Sequence, residues 1–509
     1  MFASALQRTK NLGQLFRKFS HHSLTPGMIL LGRNKTMAQI ITRENQTGLM
    51  ASIISEFQGR GIDLYSINGK IIEKLDDGKE VCSFELSFLN EDEDTLKTIQ
   101  NSLSKRGFSF RIIDPPIVDW FPTNLEQLDK IGHHLREPDL LDLYDDPHKK
   151  GGNKYILRRS EMLEKLKDRK MIDPLHDEEW YLEEHDLWQK AFANINEHRK
   201  SKATKNFNKN FDVLVKEGLF NEKKIPKLKD LNAYMEDRTN WRIKPIAGAL
   251  THREFLNALA LRTFCINHFV RDHEQDIEFH AESDLLHHIL GHIPNLLNPT
   301  MCDILHRIGE LSLGASDSQI GQLAAIFWYT MEFGLMKEDG KIKFIGGAFS
   351  ANPKHIEDFV NVMQEEEKKP EEEKKVAKLN LKDQYLPFAE FRIKDTLSQY
   401  YFLEGGIEDL DNQVKLYMKT FYKPFGLRFN FGNNSYEVDR AVYLRLPEQK
   451  ELERTLKKET RFGIDTAHLD SVHRAKAESE QAKSMGMAMG PKNDKKHHGK
   501  HKQDHKHKH

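Results

Sequence analysis

Between Gln322 and Leu335 the chain runs QLAAIFWYTMEFGL, a helix-length stretch whose one charge is Glu332. A helix that is apolar all round has no face for water, so it belongs inside a core. Its carboxylate must then be paired, hydrogen-bonded or bound to a metal, because a lone buried carboxylate is costly. The chain is long enough to build such a core. Its 509 residues correspond to two to four domains at roughly 100–200 residues each. Lys plus Arg number 77 against 78 Asp plus Glu, and the pI is about 7.1, so the basic footprint of a nucleic-acid binder is missing. The three cysteines, Cys82, Cys265 and Cys302, are too few and too far apart for a disulfide framework or a cysteine zinc cluster. No apolar run approaches the roughly 20 residues that cross a bilayer, so no membrane partner is expected.

Partners for the carboxylate lie upstream. The stretch Glu282-Ser-Asp284-Leu-Leu-His287-His288-Ile-Leu-Gly291-His292-Ile-Pro294 carries three histidines within six positions. His288 and His292 are four apart and would share a face of an unbroken α-helix. His287 and His292 are five apart, about 140° round such a helix. They can meet only if the helix ends between them, which Gly291 and Pro294 permit. Spacing leaves the pair open. Two imidazoles and one carboxylate form the facial triad of non-haem Fe(II) oxygenases, with coordination positions free for dioxygen and substrate. The competing reading pairs Glu332 with Arg253 or Arg262 in an ordinary core. The H-E-x-x-H pattern of zinc proteases is absent.

The first 43 residues contain no Asp or Glu but carry Arg8, Lys10, Arg17, Lys18, Arg33, Lys35 and Arg43. This is the composition of a mitochondrial transit peptide. It is expected over residues 1–37, with Arg17–His21 as a processing context, and points to the mitochondrial matrix. The alternative is a cytoplasmic chain starting at Met28 or Met37. Residues 38–114 read β-α-β-β-α-β, the ferredoxin-like order, and suggest a binding or dimerising module. Residues 115–170 form a charged connector. From 171 onward the pattern is mostly helical, with Trp180, Trp188, Trp241 and Trp328 as buried candidates. Residues 365–379 are a charged loop, and Gly426–Val438 is a hairpin about Gly432-Asn433-Asn434. The Lys/His-rich tail over 481–509 reads as disordered. The class is α+β.

A third motif is Arg242-Ile-Lys-Pro245-Ile-Ala-Gly248-Ala-Leu250-Thr-His-Arg-Glu-Phe255, followed by a helix expected to run to Phe269-Val-Arg271. Small residues around Gly248 admit a flat ligand, Phe255 can stack on one, and Arg271 can bind a carboxylate bidentately. With these pieces in order, and with Asp119-Trp-Phe-Pro122, Ile308–Ala315 and Pro424-Phe425, the chain resembles the pterin-dependent aromatic amino acid hydroxylases over residues 38–445. The likeness is greatest to their phenylalanine-hydroxylating branch.

The resemblance implies an N-terminal regulatory ACT domain at 38–114, a catalytic domain at 171–425 and an oligomerisation arm at 426–480. It implies Fe(II) and tetrahydrobiopterin as cofactors, L-phenylalanine and dioxygen as substrates, and a homo-oligomer. Carried residue by residue, it puts the iron ligands on His287, His292 and Glu332. Pterin contacts fall on Phe255, Leu250, His252, Ala324 and His288, and substrate contacts on Arg271, Trp328 and Ser350. Asp284 is the candidate to orient an iron-bound imidazole. No side-chain acid or base is assigned to catalysis. The chain departs from the family at His288, where Glu is usual, at Phe327 for Tyr, at Ser283 for Pro and at Cys265 for His. An imidazole at 288 can donate as well as accept, and is expected to be able to carry charge near neutral pH. Tryptophan hydroxylation and a non-catalytic amino-acid-binding role are the alternatives. Tyrosine hydroxylation is disfavoured, because apolar Ile393 aligns with an acidic residue of that branch.

Overall fold

Alternating apolar positions in the first hundred residues resolve into a four-stranded sheet backed by two helices. In the computed structural model, the described residues run 28–131 and 153–445. They exclude 247–249, 272–282, 349–360, 382–398 and the positions 44, 46, 77, 167–168, 367, 371–372, 374–376, 380 and 404. Residues 1–27 of the expected transit peptide, the expected tail at 481–509, Gly248, Ser350, Ile393 and the expected arm beyond 445 lie outside the described residues.

Strand β1 (Met28–Leu31) precedes β2 (Lys35–Thr42), α1 (Leu49–Gln58), β3 (Leu64–Lys74), β4 (Glu80–Leu89), α2 (Glu93–Lys105) and β5 (Ser109–Ile112). The sheet order β3-β4-β2-β5 is antiparallel throughout, as the ferredoxin-like reading requires. Asp92 caps α2 by accepting the Thr95 N–H at 2.8 Å. Cys82, Phe84, Leu86 and Phe88 of β4 face the helices with Ile53, Phe57, Ile99 and Leu103. The folded region starts ahead of residue 38, since β1 and the first residues of β2 are already paired.

The sheet's other face is covered around β4, with Ser83 and Ser87 fully buried. Its neighbours come from the far end of the described chain. Lys35 Nζ donates to the Val438 carbonyl and lies 3.9 Å from the Tyr65 ring centroid. Arg440 reaches Glu85 at 3.6 Å and Ser66 at 3.3 Å.

After β6 (Ile117–Asp119) and α3 (Leu125–Ile131), the chain is dominated by helices: α4 (Asn153–Leu166), α5 (Leu182–Lys202), α6 (Lys205–Lys216) and α7 (Leu228–Thr239). Trp188 and Trp241 are fully buried, while Trp180 and Trp328 are half-buried against the same core. Strands β7 (Arg242–Ile246) and β8 (Thr263–Asn267) pair in parallel, linked through α8 (His252–Ala260). The helix expected to reach Arg271 therefore ends eleven residues earlier. Arg262 takes a positive φ of 50°, and Thr, Phe, Cys and Ile then favour strand over helix. Helix α9 (Pro299–Ser312) crosses α8 closely: a Cβ on Gly309 would lie 2.2 Å from the Ala260 nitrogen. Helix α10 (Asp317–Phe327) carries the apolar stretch.

The remaining elements are β9 (Leu335–Glu338), β10 (Lys341–Phe344), β11 (Ala377–Leu379), β12 (Gln399–Leu403), α11 (Ile407–Thr420) and a C-terminal hairpin of β13 (Leu427–Asn430) and β14 (Ser435–Val438). Strand β15 (Val442–Arg445) then pairs with both β1 and β6. The motifs at 119–122, 308–315 and 424–425 meet here. Phe121 stacks on Phe425 at 5.2 Å, and Gly314, at φ +73°, lies against both rings.

The hairpin seats its aromatic residues on α9. The His306 ring lies 4.5 Å from Phe429 and stacks on Tyr436 at 6.2 Å. Burial, with the Arg262 guanidinium, pushes its imidazole down to about 4 from 6.5. The folded state thus resists protonation that the unfolded chain accepts. This contribution is complete above about pH 6.5, is lost as pH falls towards 4, and is worth at most about 3 kcal/mol. His306→Gln, neutral at every pH, is expected to flatten the fall in stability between pH 6.5 and 4, measured by urea denaturation across that range.

Candidate active site

Asp284 starts the histidine segment. Its Oδ1 accepts the His287 N–H at 3.0 Å, and its carbonyl accepts the His288 N–H at 3.1 Å. From His287 to His292 the backbone winds as a π-helix. Hydrogen bonds from i to i+5 widen the turn, so residues five apart stack rather than diverge by 140°. His287 and His292 meet with Nε2 atoms 3.0 Å apart, whereas the His288 and His292 ring centroids are 6.2 Å apart. Gly291 does not end the helix, as its spacing suggested. Ile293 and Pro294 stay helical and lead into a 3₁₀ turn at Asn295–Leu297.

A second π turn, Trp328–Glu332, ends α10 and brings the carboxylate back. Glu332 Oε2 lies 3.3 Å from Nε2 of both His287 and His292, and the three donor atoms lie within 4.8 Å of one another. Neither arginine of the competing reading pairs with it. Arg253 binds the Ala315 carbonyl at 2.7 Å and Asp317 at 2.6 Å, and Arg262 binds the Thr239 carbonyl and Asp303. Burial pushes the Glu332 carboxyl up, but the two imidazoles outweigh it and hold it well below the usual range. Two ring nitrogens this close repel unless a proton or cation lies between them. Nitrogens roughly 2.1 Å from one ion and at right angles would be about 3.0 Å apart. The donor set fits a divalent transition metal.

An aromatic wall adjoins the triad. Half-buried Phe255 on α8 stands edge-on to Phe327 at 4.9 Å and to Phe264 at 5.9 Å. Phe264 lies 5.1 Å from the His292 ring, and Phe327 is nearly parallel to it at 6.4 Å. Leu250 packs at the edge of the neighbouring cluster. His252 is the first residue of α8, whose capping box joins Thr251 and Glu254. Ala324 is buried on α10, and Trp328 packs on Phe333 at 4.8 Å.

The charged state expected of His288 is not what its surroundings allow. Burial, then the neighbouring His287 and His292, hold its pKa well below 6.5. Its Nδ1 accepts the Asn267 N–H at 3.3 Å, so the proton of the neutral ring sits on Nε2. Arg271 differs too. It lies past a strand, is buried, and grips Asp284 through Nε at 2.9 Å and Nη2 at 2.8 Å. Asp284 orients His287 through the backbone N–H, not through the imidazole.

Sequence reasoning missed the Gly346-Gly347 turn. A Cβ at 346 would come within 2.0 Å of the Glu332 carbonyl, and one at 347 within 2.5 Å of the His292 ring. Only bare backbone fits against both segments. The paired glycines after β10 were the available signal.

A family model described as "Biopterin-dependent aromatic amino acid hydroxylase" matches residues 119–461, and the chain belongs to that family. Among similar proteins, the tryptophan 5-hydroxylase of Xenopus laevis is 29% identical over 406 residues, covering 78% of this chain and 81% of the relative. The chloroplastic phenylalanine 4-monooxygenase of Pinus taeda is 30% identical over 268 residues, covering 53% and 71%. The tyrosine 3-monooxygenase of Caenorhabditis briggsae is 32% identical over 235 residues, covering 46% and 45%. The chain is thus an iron- and tetrahydrobiopterin-dependent monooxygenase acting on an aromatic amino acid and dioxygen. Among the described residues, no helix is long and apolar enough to cross a membrane.

Asp284 holds both Arg271 and the start of the histidine segment. Asp284→Ala would take its carboxylate away from a buried guanidinium and is expected to cost about 3–5 kcal/mol of stability, read from urea denaturation.

Proposed function

We propose that this chain hydroxylates phenylalanine to tyrosine, with ferrous iron on His287, His292 and Glu332. The observation that carries the reading is the convergence of two imidazole nitrogens and one carboxylate oxygen within 4.8 Å, inside the region matched to the family. When bound, iron and tetrahydrobiopterin together activate dioxygen and supply the oxygen atom that enters the ring.

The chain's own residues bind and orient. Phe255 and the Leu250–His252 segment hold the pterin, with Ala324 beside it, and His288 offers a neutral Nε2–H donor. Arg271, fixed by Asp284, takes the substrate carboxylate. Trp328 flanks the substrate ring, and the family resemblance assigns Ser350 to the substrate. Phe264 and Phe327 wall the metal from water.

Tryptophan is the second reading, favoured by the 406-residue match to a tryptophan 5-hydroxylase. Ile393 argues against tyrosine. Assembly into a homo-oligomer through residues 426–480, with 38–114 as the regulatory domain, belongs to the same proposal.

Anaerobic Fe(II) reconstitution, then aerobic assay with and without tetrahydrobiopterin, tests it. One iron per chain and pterin-dependent tyrosine formation are expected. His287→Ala and Glu332→Ala should lose the iron and the activity together. Hydroxytryptophan as the main product would select the second reading, and full activity in either variant would overturn the ligand assignment.

The acid-free N-terminus further supports import into the mitochondrial matrix. Processing ahead of Met28 would leave β1 intact. Sequencing the mature N-terminus is expected to find a start between residues 18 and 28.

A further inference from the structure

We infer that Asn295 is a positioning residue for the metal site, acting through the Gly346-Gly347 turn. The inference rests on the assignment of His292 and Glu332 as metal ligands. Asn295 follows His292 by three residues and is buried, between Ile293 and Leu296, which are buried too. An amide in such surroundings must find a partner. Its Nδ2 donates to the Ile345 carbonyl at 2.8 Å.

That carbonyl opens the turn. On the other side the turn is held by Gly334, whose carbonyl accepts the N–H of Ile345 at 2.8 Å and of Gly346 at 3.2 Å. The turn is thus tied once to the segment after His292 and once to the segment after Glu332. Between these ties its bare backbone presses on the Glu332 carbonyl at 346 and on the His292 ring at 347. The contacts close a circuit: His292 to Asn295 along the chain, Asn295 to Ile345 by hydrogen bond, Gly347 back onto the imidazole face. With the donor removed, the Ile345 carbonyl loses its partner, the turn shifts, and the ring loses its backing. Groups that orient metal ligands typically change metal affinity by about 10–100-fold.

A nearby amide provides the control. Asn210 on α6 is also buried and donates Nδ2 to the Pro294 carbonyl at 2.8 Å, one residue from Asn295, but its bond ends there and not on the turn. A purely structural role would make the two amides equivalent.

The test is anaerobic titration of the metal-free full chain with Co(II), read by visible absorption and by affinity, with thermal unfolding of the metal-free protein alongside. Asn295→Leu is expected to weaken Co(II) binding by about tenfold and to alter the band pattern. Asn295→Asp keeps the size without the donor, should do the same, and carries the test if the Leu variant fails to fold. Asn210→Leu should lower Tm comparably while keeping the wild-type spectrum and affinity. Wild-type spectrum and affinity in both Asn295 variants would overturn the inference, as would an equal change in Asn210→Leu. Failure of the wild-type chain to bind Co(II) would overturn the ligand assignment, and this inference with it.

Discussion

A carboxylate inside an apolar helix is the constraint on which the rest depends. Glu332 cannot be buried as a lone charge, and Arg253, Arg262 and Arg271 are committed elsewhere. The chain brings two imidazoles to it instead. This requires two segments forty residues apart to meet at one point. It also requires what lies between them, α9 and α10, to act as a rigid spacer. The close crossing at Gly309 and the buried apolar faces of both helices supply that rigidity.

Both ligand segments are π-wound, and for one of them the winding is what makes the site possible. Five-residue spacing is wrong for an α-helix and right for a π turn, in which residues five apart are bridged by backbone hydrogen bonds. Such turns are less favourable than α-helix, so the surroundings must hold them. Asp284 holds the first from its N-terminal end, and the Thr330 hydroxyl, bonded to the Ile326 carbonyl at 2.6 Å, lies inside the second.

Local pattern made part of this legible. Alternation and turn residues located every element of the small sheet domain to within a few residues, because each strand buries one face and each turn needs its own residue type. The hairpin around Gly432-Asn433-Asn434 was equally plain. The histidines and Glu332 stood out chemically, but the winding that selects His287 over His288 is cooperative and leaves no periodic trace. The stretch leading to Arg271 reads as helix because short apolar runs such as Phe264–Ile266 do not separate strand from buried helix. The Gly346-Gly347 turn acts across the fold, on residues 14 and 55 positions away, so nothing near it in sequence reports its role. The choice of ring substrate depends on pocket shape, and relatives with three different substrates match at about 30% identity.

One carboxylate also couples what are drawn as separate sites. Asp284 holds the backbone N–H at the head of the first metal-ligand turn and the guanidinium proposed for the substrate. Its two oxygens are shared between those tasks: Oδ1 serves His287 and one arm of Arg271, Oδ2 the other arm and the Arg271 backbone. On the proposed assignment, a substrate carboxylate at Arg271 would approach a cation already held by Asp284. A change in that pair would reach the His287 N–H, which heads the π turn and is held by the same carboxylate. If Arg271 takes the substrate as proposed, substrate binding and metal-ligand geometry share this one residue.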